Sequence, residues 1–436
     1  MTDLSNRTSF KRISADRTPS NRTPSNRTPP TRRHFLGATL ATAAGACAAT
    51  PFATLCFAAG NTLALSAPAP APAQRFVFVL LRGGLDGQSA VPAVGDPDFA
   101  AARGALAQFA APALALDNTF ALHPQLAQLH AMYGRGELAV VHAVGLSYRE
   151  RSHFDAQQVL ESGGVRPFDI TTGWLGRALA RSSSKSLALN TTVPLVLRGP
   201  GVVDTWSPSA LPDPSADLVA RLERLYAGDA ELATALERAK ALRFDTTMPA
   251  DMTAGNAMGG NARNGNFTVL AQRAAEFLAQ PAGPQVAVLE LGGWDTHANQ
   301  GNPNGPLANN LRQLDTGLAA LREGLLPSGT WGRTVVVVAT EFGREVAVNG
   351  TLGTDHGTAG AAFVLGGAVK GGRVLADWPG LARSQRFEGR DLRTTTDLRA
   401  VLKGVLSDHL QVASRTLDTE VFPGSEGVRG LGLLKG

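Results

Sequence analysis

Cysteine is nearly missing: the 436 residues contain two, Cys47 and Cys56, both ahead of residue 67. A disulfide framework is thereby excluded. The 48 glycines and 26 prolines are not arranged in a collagen-like period, and a chain that is 44% hydrophobic and 18% charged is not wholly disordered. No internal repeat stands out beyond residue 66. An apolar run fit to anchor the chain in a membrane is also lacking, because the stretch from Leu36 to Ser66 is rich in Ala and Thr and is broken by Gly45, Pro51 and Gly60. The net charge of +5 and the pI near 9.5 suggest a basic surface. That surface vanishes once the charges are located. Residues 1–37 carry eight basic and two acidic side chains, leaving 33 of the 41 basic groups against 34 of the 36 acidic ones. The remainder therefore offers no basic footprint for nucleic acid.

What is present begins with a leader. Residues 31–37, Thr-Arg-Arg-His-Phe-Leu-Gly, lie between a basic segment and a weakly apolar one and resemble a twin-arginine export signal. Asn-Arg-Thr-Pro-Ser repeats between Asn21 and Pro29 precede it and cannot build a core. We read residues 1–66 as the removed leader, with cleavage between Ala59 and Ala73, residues 67–74 as an Ala/Pro spacer, and residues 75–436 as one folded domain. Cys47 follows Ala44-Gly45-Ala46, without the leucine usual in a lipoprotein site. The resemblance implies the twin-arginine machinery as a partner and a periplasmic or secreted location. It also implies no stable membrane anchor after processing, and export of a folded chain that can already hold a metal.

Beyond the spacer, continuous apolar runs alternate with helical patterns. Arg75–Leu81, Leu138–Val144, Val193–Leu197, Val286–Leu291, Thr334–Ala339 and Ala361–Leu365 read as strands covered on both faces. Leu307, Leu311, Leu314, Leu318, Leu321 and Leu325 form one apolar helical stripe. Further helices are expected over Pro124–Tyr133, Ala216–Leu242, Val269–Leu278 and Thr396–Leu410, with a flexible surface loop over 244–266. The strand, helix, strand order from Gln285 to Glu341 is a βαβ unit. The expected fold is therefore α/β: a single large domain with a mostly parallel, doubly wound sheet and helices on both faces.

Ligands of such sheets gather beyond the carboxyl ends of strands. There the sequence places Arg82 and Asp86 after the first run, and Arg151-Ser152-His153-Phe154-Asp155 after the second. Ser152 with Asp155 reads either as a helix N-cap or as a nucleophile beside an anion-attracting helix terminus; the two are compatible. The strongest signal is Glu290-Leu291-Gly292-Gly293-Trp294-Asp295-Thr296-His297, where Asp295 and His297, two residues apart in extended chain, can share one cation. Thr354-Asp355-His356-Gly357-Thr358 supplies a second Asp and His pair, and Glu341 ends another apolar run. His123, His130, His142 and His409 stand in strand or helix patterns without acidic neighbours and read as packing or surface residues. Carboxylates and imidazoles without thiolates suit Zn, Mn, Ca or Mg.

Taken together, Phe76–Gln88, Arg151–Gly164, Glu290–Asn299, Thr340–Arg344 and Gly353–Gly360 resemble the large bacterial family named domain-of-unknown-function 1501, within the alkaline phosphatase and sulfatase superfamily. The resemblance implies an alkaline-phosphatase-like fold, a divalent metal site and a Ser or Thr nucleophile. Carried over residue by residue, it assigns Glu290, Asp295, His297 and His356 to metal and Ser152 to catalysis; beside these, Asp86 and Glu341 are candidate metal ligands, Arg151 a candidate catalytic residue, and Arg82 and His153 candidate substrate contacts. There are departures. Glu341-Phe342 stands where an Asp-His metal pair is expected, Gly83 or Gly84 replaces the first-strand aspartate, and the Cys-x-Pro-x-Arg sulfatase signature is absent. The implied function is an exported metal-dependent hydrolase of phosphate or other anionic esters. The alternative is a non-catalytic periplasmic binding or assembly protein that keeps the fold and one metal site.

Overall fold

Arg75 to Leu81 has no polar residue after its first position, as a strand buried on both faces requires. In the computed structural model it is β1 (Arg75–Leu81), buried along its length. The structure describes residues 73–209, 214–244, 267–301 and 304–436, all within one compact unit, Ala69–Gly436. The leader lies outside the described residues, as does the loop expected over 244–266, apart from Phe244. After β1 come α1 (Gly87–Ala90), α2 (Phe99–Arg103), the small antiparallel pair β2 (Leu114–Ala115) and β3 (Ala121–Leu122), and α3 (Ala127–Gly134). There follow β4 (Leu138–Gly145), α4 (His153–Ser162), α5 (Trp174–Ala178), β5 (Ser186–Ala188), β6 (Val203–Thr205), α6 (Ala216–Tyr226), α7 (Ala230–Phe244) and α8 (Phe267–Ala279). The chain continues through β7 (Val286–Leu291), α9 (Pro306–Leu325), β8 (Thr334–Thr340), β9 (Gly360–Leu365), β10 (Arg373–Leu375), β11 (Thr396–Asp397) and α10 (Leu398–Leu410).

Nine strands form one sheet in the order β10-β4-β9-β8-β1-β7-β5-β6, with β11 also paired to β4. All its pairings are parallel except those of β9, which runs antiparallel to β4 and β8. Side chains of β1 alternate between two cores, as the period of a strand dictates. Val77, Val79 and Leu81 pack with α3, α8 and α9 through Leu129, Phe277 and Leu314. Phe76, Phe78 and Leu80 pack with α4, α5 and α10 through Val159, Trp174 and Val405. Each such side chain contributes about 1.5–3 kcal/mol on burial. The six leucines of the α9 stripe are all buried. The fold is α/β with helices on both faces of one large sheet.

Two expectations are corrected. Val193–Leu197 is not a strand: Pro194 lacks an N–H for a ladder, and Leu195–Leu197 forms a 3-10 turn against α5. The missed strands β5 and β6 are three residues each, too short for a periodic signal. Ala216–Leu242 is two helices rather than one, broken at Gly228, with Asp229 accepting hydrogen bonds from the Glu231 and Leu232 amides as a new N-cap. The sheet sends its site residues to one edge. β1, β4, β7 and β8 all end there, and antiparallel β9 begins there.

Candidate active site

Three segments converge on that edge. His153 is the first residue of α4, Asp295 and His297 lie in the loop after β7, and His356 lies in the loop between β8 and β9. Asp295 Oδ1 is the meeting point, 3.3 Å from His153 Nε2, 3.0 Å from His297 Nε2 and 3.2 Å from His356 Nε2. The Nε2 atoms of His297 and His356 are 2.8 Å apart. Gly83 makes room for the loop that carries Asp295. Its φ is +121° and a Cβ there would sit 2.6 Å from the Asp295 nitrogen.

Every ring is anchored through its other nitrogen. His153 Nδ1 lies 2.8 Å from Glu341 Oε1, His297 Nδ1 3.0 Å from Asp355 Oδ1, and His356 Nδ1 2.8 Å from the Arg151 carbonyl. Carboxylates and carbonyls only accept, so each Nδ1 carries the hydrogen and each neutral ring turns a bare Nε2 lone pair towards Asp295. Three lone pairs and a carboxylate oxygen at these distances repel one another unless a cation or protons lie among them. His153 Nε2, moreover, is buried and has no hydrogen-bond partner. The donor set fits a divalent metal. His153, Asp295 and His356 offer ligand atoms mutually within 4.8 Å, and His297 adjoins that group through Asp295 and His356. Imidazoles with one carboxylate suit zinc or manganese, and three protein ligands leave a position open.

The electrostatics follow from the same contacts. Glu341, chiefly by its hydrogen bond to the ring, raises the pKa of His153, whereas burial lowers that of His356. Burial opposes ionisation of Asp295, but Arg344, which donates to Oδ1 at 2.6 Å, prevails and holds it down to about 2. Glu341 is buried too, yet donors from His153 and Gln157 keep its pKa below the usual carboxylate value.

The other expected site residues are placed as follows. Glu341 lies behind His153 as the acceptor of its ring N–H. Glu290 pairs with Arg82, which also pairs with Glu161. Asp86 is fully buried against Arg103, caps α1 through the Gln88 and Ser89 amides, and is not in the histidine group. The Arg151 guanidinium pairs with Glu388 and Asp391. Ser152 stands at the N-terminus of α4, but its side chain makes no capping bond. Asp155, its expected capping-box partner, instead accepts from the Tyr148 hydroxyl at 2.9 Å. Burial and Asp155 push the Tyr148 phenol up to about 12, with a hydrogen bond from Ser152 acting the other way. Of the remaining histidines, His142 is buried and stacked on Phe120, and burial lowers its pKa to about 4. His409 is buried and bonds the Arg75 carbonyl. Sequence reasoning missed Asp355, Gln157 and Arg344 as supports. Asp355 had a visible signal, since it adjoins His356.

These features define an α/β protein with a histidine and carboxylate cluster at the carboxyl edge of its sheet. Residues 73–419 match the family described as "Protein of unknown function (DUF1501)", and the chain belongs to that family. Among curated proteins no sequence matches it. Among solved structures it is similar to a phosphonate monoester hydrolase of Agrobacterium radiobacter, at 10% identity and TM-score 0.40, covering 78% of this chain and 74% of that one. It is similar also to the PsFucS1 sulfatase from Pseudoalteromonas sp., at 13% identity and TM-score 0.37, covering 82% and 71%.

Proposed function

We propose that the chain is an exported metal-dependent hydrolase of phosphate or other anionic esters, with Ser152 as nucleophile. The observation that carries this reading is the convergence of three Nδ1-anchored imidazoles on Asp295 Oδ1. A divalent cation held there supplies charge that neutralises an ester oxygen as it becomes negative and favours the ionised form of a nearby hydroxyl. The chain supplies the rest. Ser152 adjoins His153 in sequence, and its hydroxyl is not spent on capping α4, whose N-terminal dipole favours an anion. Beside it in sequence, the Tyr148 hydroxyl donates to the Asp155 carboxylate at 2.9 Å, so this acceptor is held within the first turn of α4. Glu341 and Asp355 hold His153 and His297 in one tautomer and orientation.

Metal analysis of the purified protein, joined to a screen of phosphate mono- and diesters, phosphonate monoesters and sulfate esters, tests the proposal. Bound zinc or manganese with turnover that disappears on chelation is expected. Absence of bound metal after loading would refute it. A second reading, a binding protein that keeps the metal without chemistry, is favoured by one observation. Arg82 and Arg151, the arginines expected to grip an anion, are each paired with two carboxylates. Stoichiometric metal without turnover of any ester class would favour that reading.

A further inference from the structure

Behind the histidine cluster lies a buried polar network that none of the roles above uses, and its centre is Gln300. This residue is fully buried, and its side-chain amide is saturated. Nε2 donates to Asp86 Oδ2 at 2.6 Å and to Ser89 Oγ at 3.3 Å. Oε1 accepts from Thr296 Oγ1 at 2.9 Å and from Thr354 Oγ1 at 2.7 Å. A carboxylate can only accept, so Asp86 fixes which end of the amide faces it, and the oxygen must then face the two threonines. Thr296 lies between Asp295 and His297, and Thr354 precedes Asp355 and His356. One amide therefore joins the two loops that carry Asp295, His297 and His356.

The backbone repeats the connection. The Gln300 amide donates to the Leu352 carbonyl at 3.0 Å and the Asn299 amide to the Thr351 carbonyl at 2.9 Å. Asn299 and Leu352 both have positive φ, 46° and 57°, a conformation that persists only where surrounding contacts over-determine it. The network touches the β8–β9 loop at a second point as well. Arg103, fully buried and paired with Asp86, donates to the Val346 carbonyl at 2.8 Å, two residues beyond Arg344, the hydrogen-bond donor to Asp295.

We propose that Gln300 is a positioning residue: by clamping the 295–300 and 351–356 loops to the buried Asp86 it sets the separation of Asp295, His297 and His356 and hence the affinity of the site for its metal. This rests on the metal reading of the cluster. The experiment measures zinc affinity by chelator competition and the visible spectrum of the cobalt-substituted protein, alongside the melting temperature of the metal-free protein. Gln300→Met keeps the volume and removes all four hydrogen bonds. Zinc affinity should fall by about 10–100-fold, the range seen when groups behind metal ligands are lost, and the cobalt bands should shift. If Gln300→Met does not fold, Thr354 carries the test. Thr354→Val removes one bond and should weaken zinc in the same direction, whereas Thr354→Ser keeps the hydroxyl and should restore it. Asp315→Asn, which weakens the hydrogen bonds to the Gln128 and Leu129 amides on the α3 and α9 side, calibrates a purely structural change. It should lower the melting temperature and leave zinc affinity and the cobalt spectrum unmoved.

Wild-type affinity and spectrum in Gln300→Met would overturn the proposal, as would equal binding by Thr354→Val and Thr354→Ser. If the wild-type protein itself takes up neither zinc nor cobalt, the metal reading fails and takes this inference with it. That result is distinguishable from the others because it needs no variant.

Discussion

At the scale of single residues, the cluster makes separable demands. His356→Ala removes an imidazole whose Nε2 faces Asp295 while its Nδ1 is fixed to the Arg151 carbonyl. Bound metal measured by elemental analysis should fall to a small fraction of wild type, since a site of few protein ligands tolerates no such loss. Ser152→Ala should retain metal and abolish ester turnover. Because the Ser152 side chain makes no capping bond, its melting transition should move by less than the roughly 1 kcal/mol that a lost cap costs. A full capping penalty with unchanged turnover would return Ser152 to a structural role. Asp86 makes a different kind of prediction. Burial works against its ionisation, yet Arg103 and the hydrogen bonds from Gln300 and Ser89 hold its pKa below the ordinary value. A depressed carboxylate contributes stability that is present above its unfolded pKa, about 4, and is lost as pH falls towards the folded value. Stability of the wild type should thus fall more steeply below about pH 4 than that of Asp86→Asn, as denaturation midpoints across pH will reveal. At neutral pH the variant should be weaker by about 3–5 kcal/mol, because Arg103 is left as an unpaired buried charge.

At the scale of elements, what could be read in advance depended on how local its cause was. β1, β7 and β8 announce themselves because burial on both faces leaves unbroken apolar runs, and α9 because its stripe of leucines faces one core. β5 and β6 gave no such signal. Their place at one end of the sheet is settled by β7, which comes about a hundred residues later. The site divides in the same way. Asp295, His297 and His356 were legible because each lies in a short motif just beyond or before a strand. His153 read as a substrate contact, since the acceptor that orients its ring, Glu341, is 188 residues away. Asp86 and Glu290 stand at sequence positions suited to metal ligands, but Arg103, 17 residues on from Asp86, and Arg82, 208 residues from Glu290, occupy them. Gly83→Ala tests an element junction directly. The positive φ and the approach to the Asp295 nitrogen mean that a Cβ must displace the loop after β7. Metal affinity should drop by at least tenfold, read by chelator competition, even in the fraction that remains folded.

For the whole molecule, the proposed export makes its own prediction. A reporter fused after residue 75 should reach the periplasm only through the twin-arginine route, and replacing Arg32 and Arg33 with Lys should stop it, because the pair is read as arginine rather than as charge. Export of that variant at the wild-type level would remove the localisation reading. No helix among the described residues is long and apolar enough to cross a membrane. The central position of β1 has a kinetic meaning. The first strand of the domain to be synthesised lies between β7 and β8, and Arg75 on it bonds the Leu278 carbonyl across 203 residues. Such a high contact order makes closure of the sheet slow. While the ribosome is still working, β1 is a bare hydrophobic ribbon with both long-lived neighbours yet to be made, open to chaperones and to aggregation. The histidine cluster takes one residue from α4 and the others from loops that flank β7 and β9, so it comes into being only after the strands on both sides of β1 have been made, and a metal bound there as proposed follows closure of the sheet rather than nucleating it.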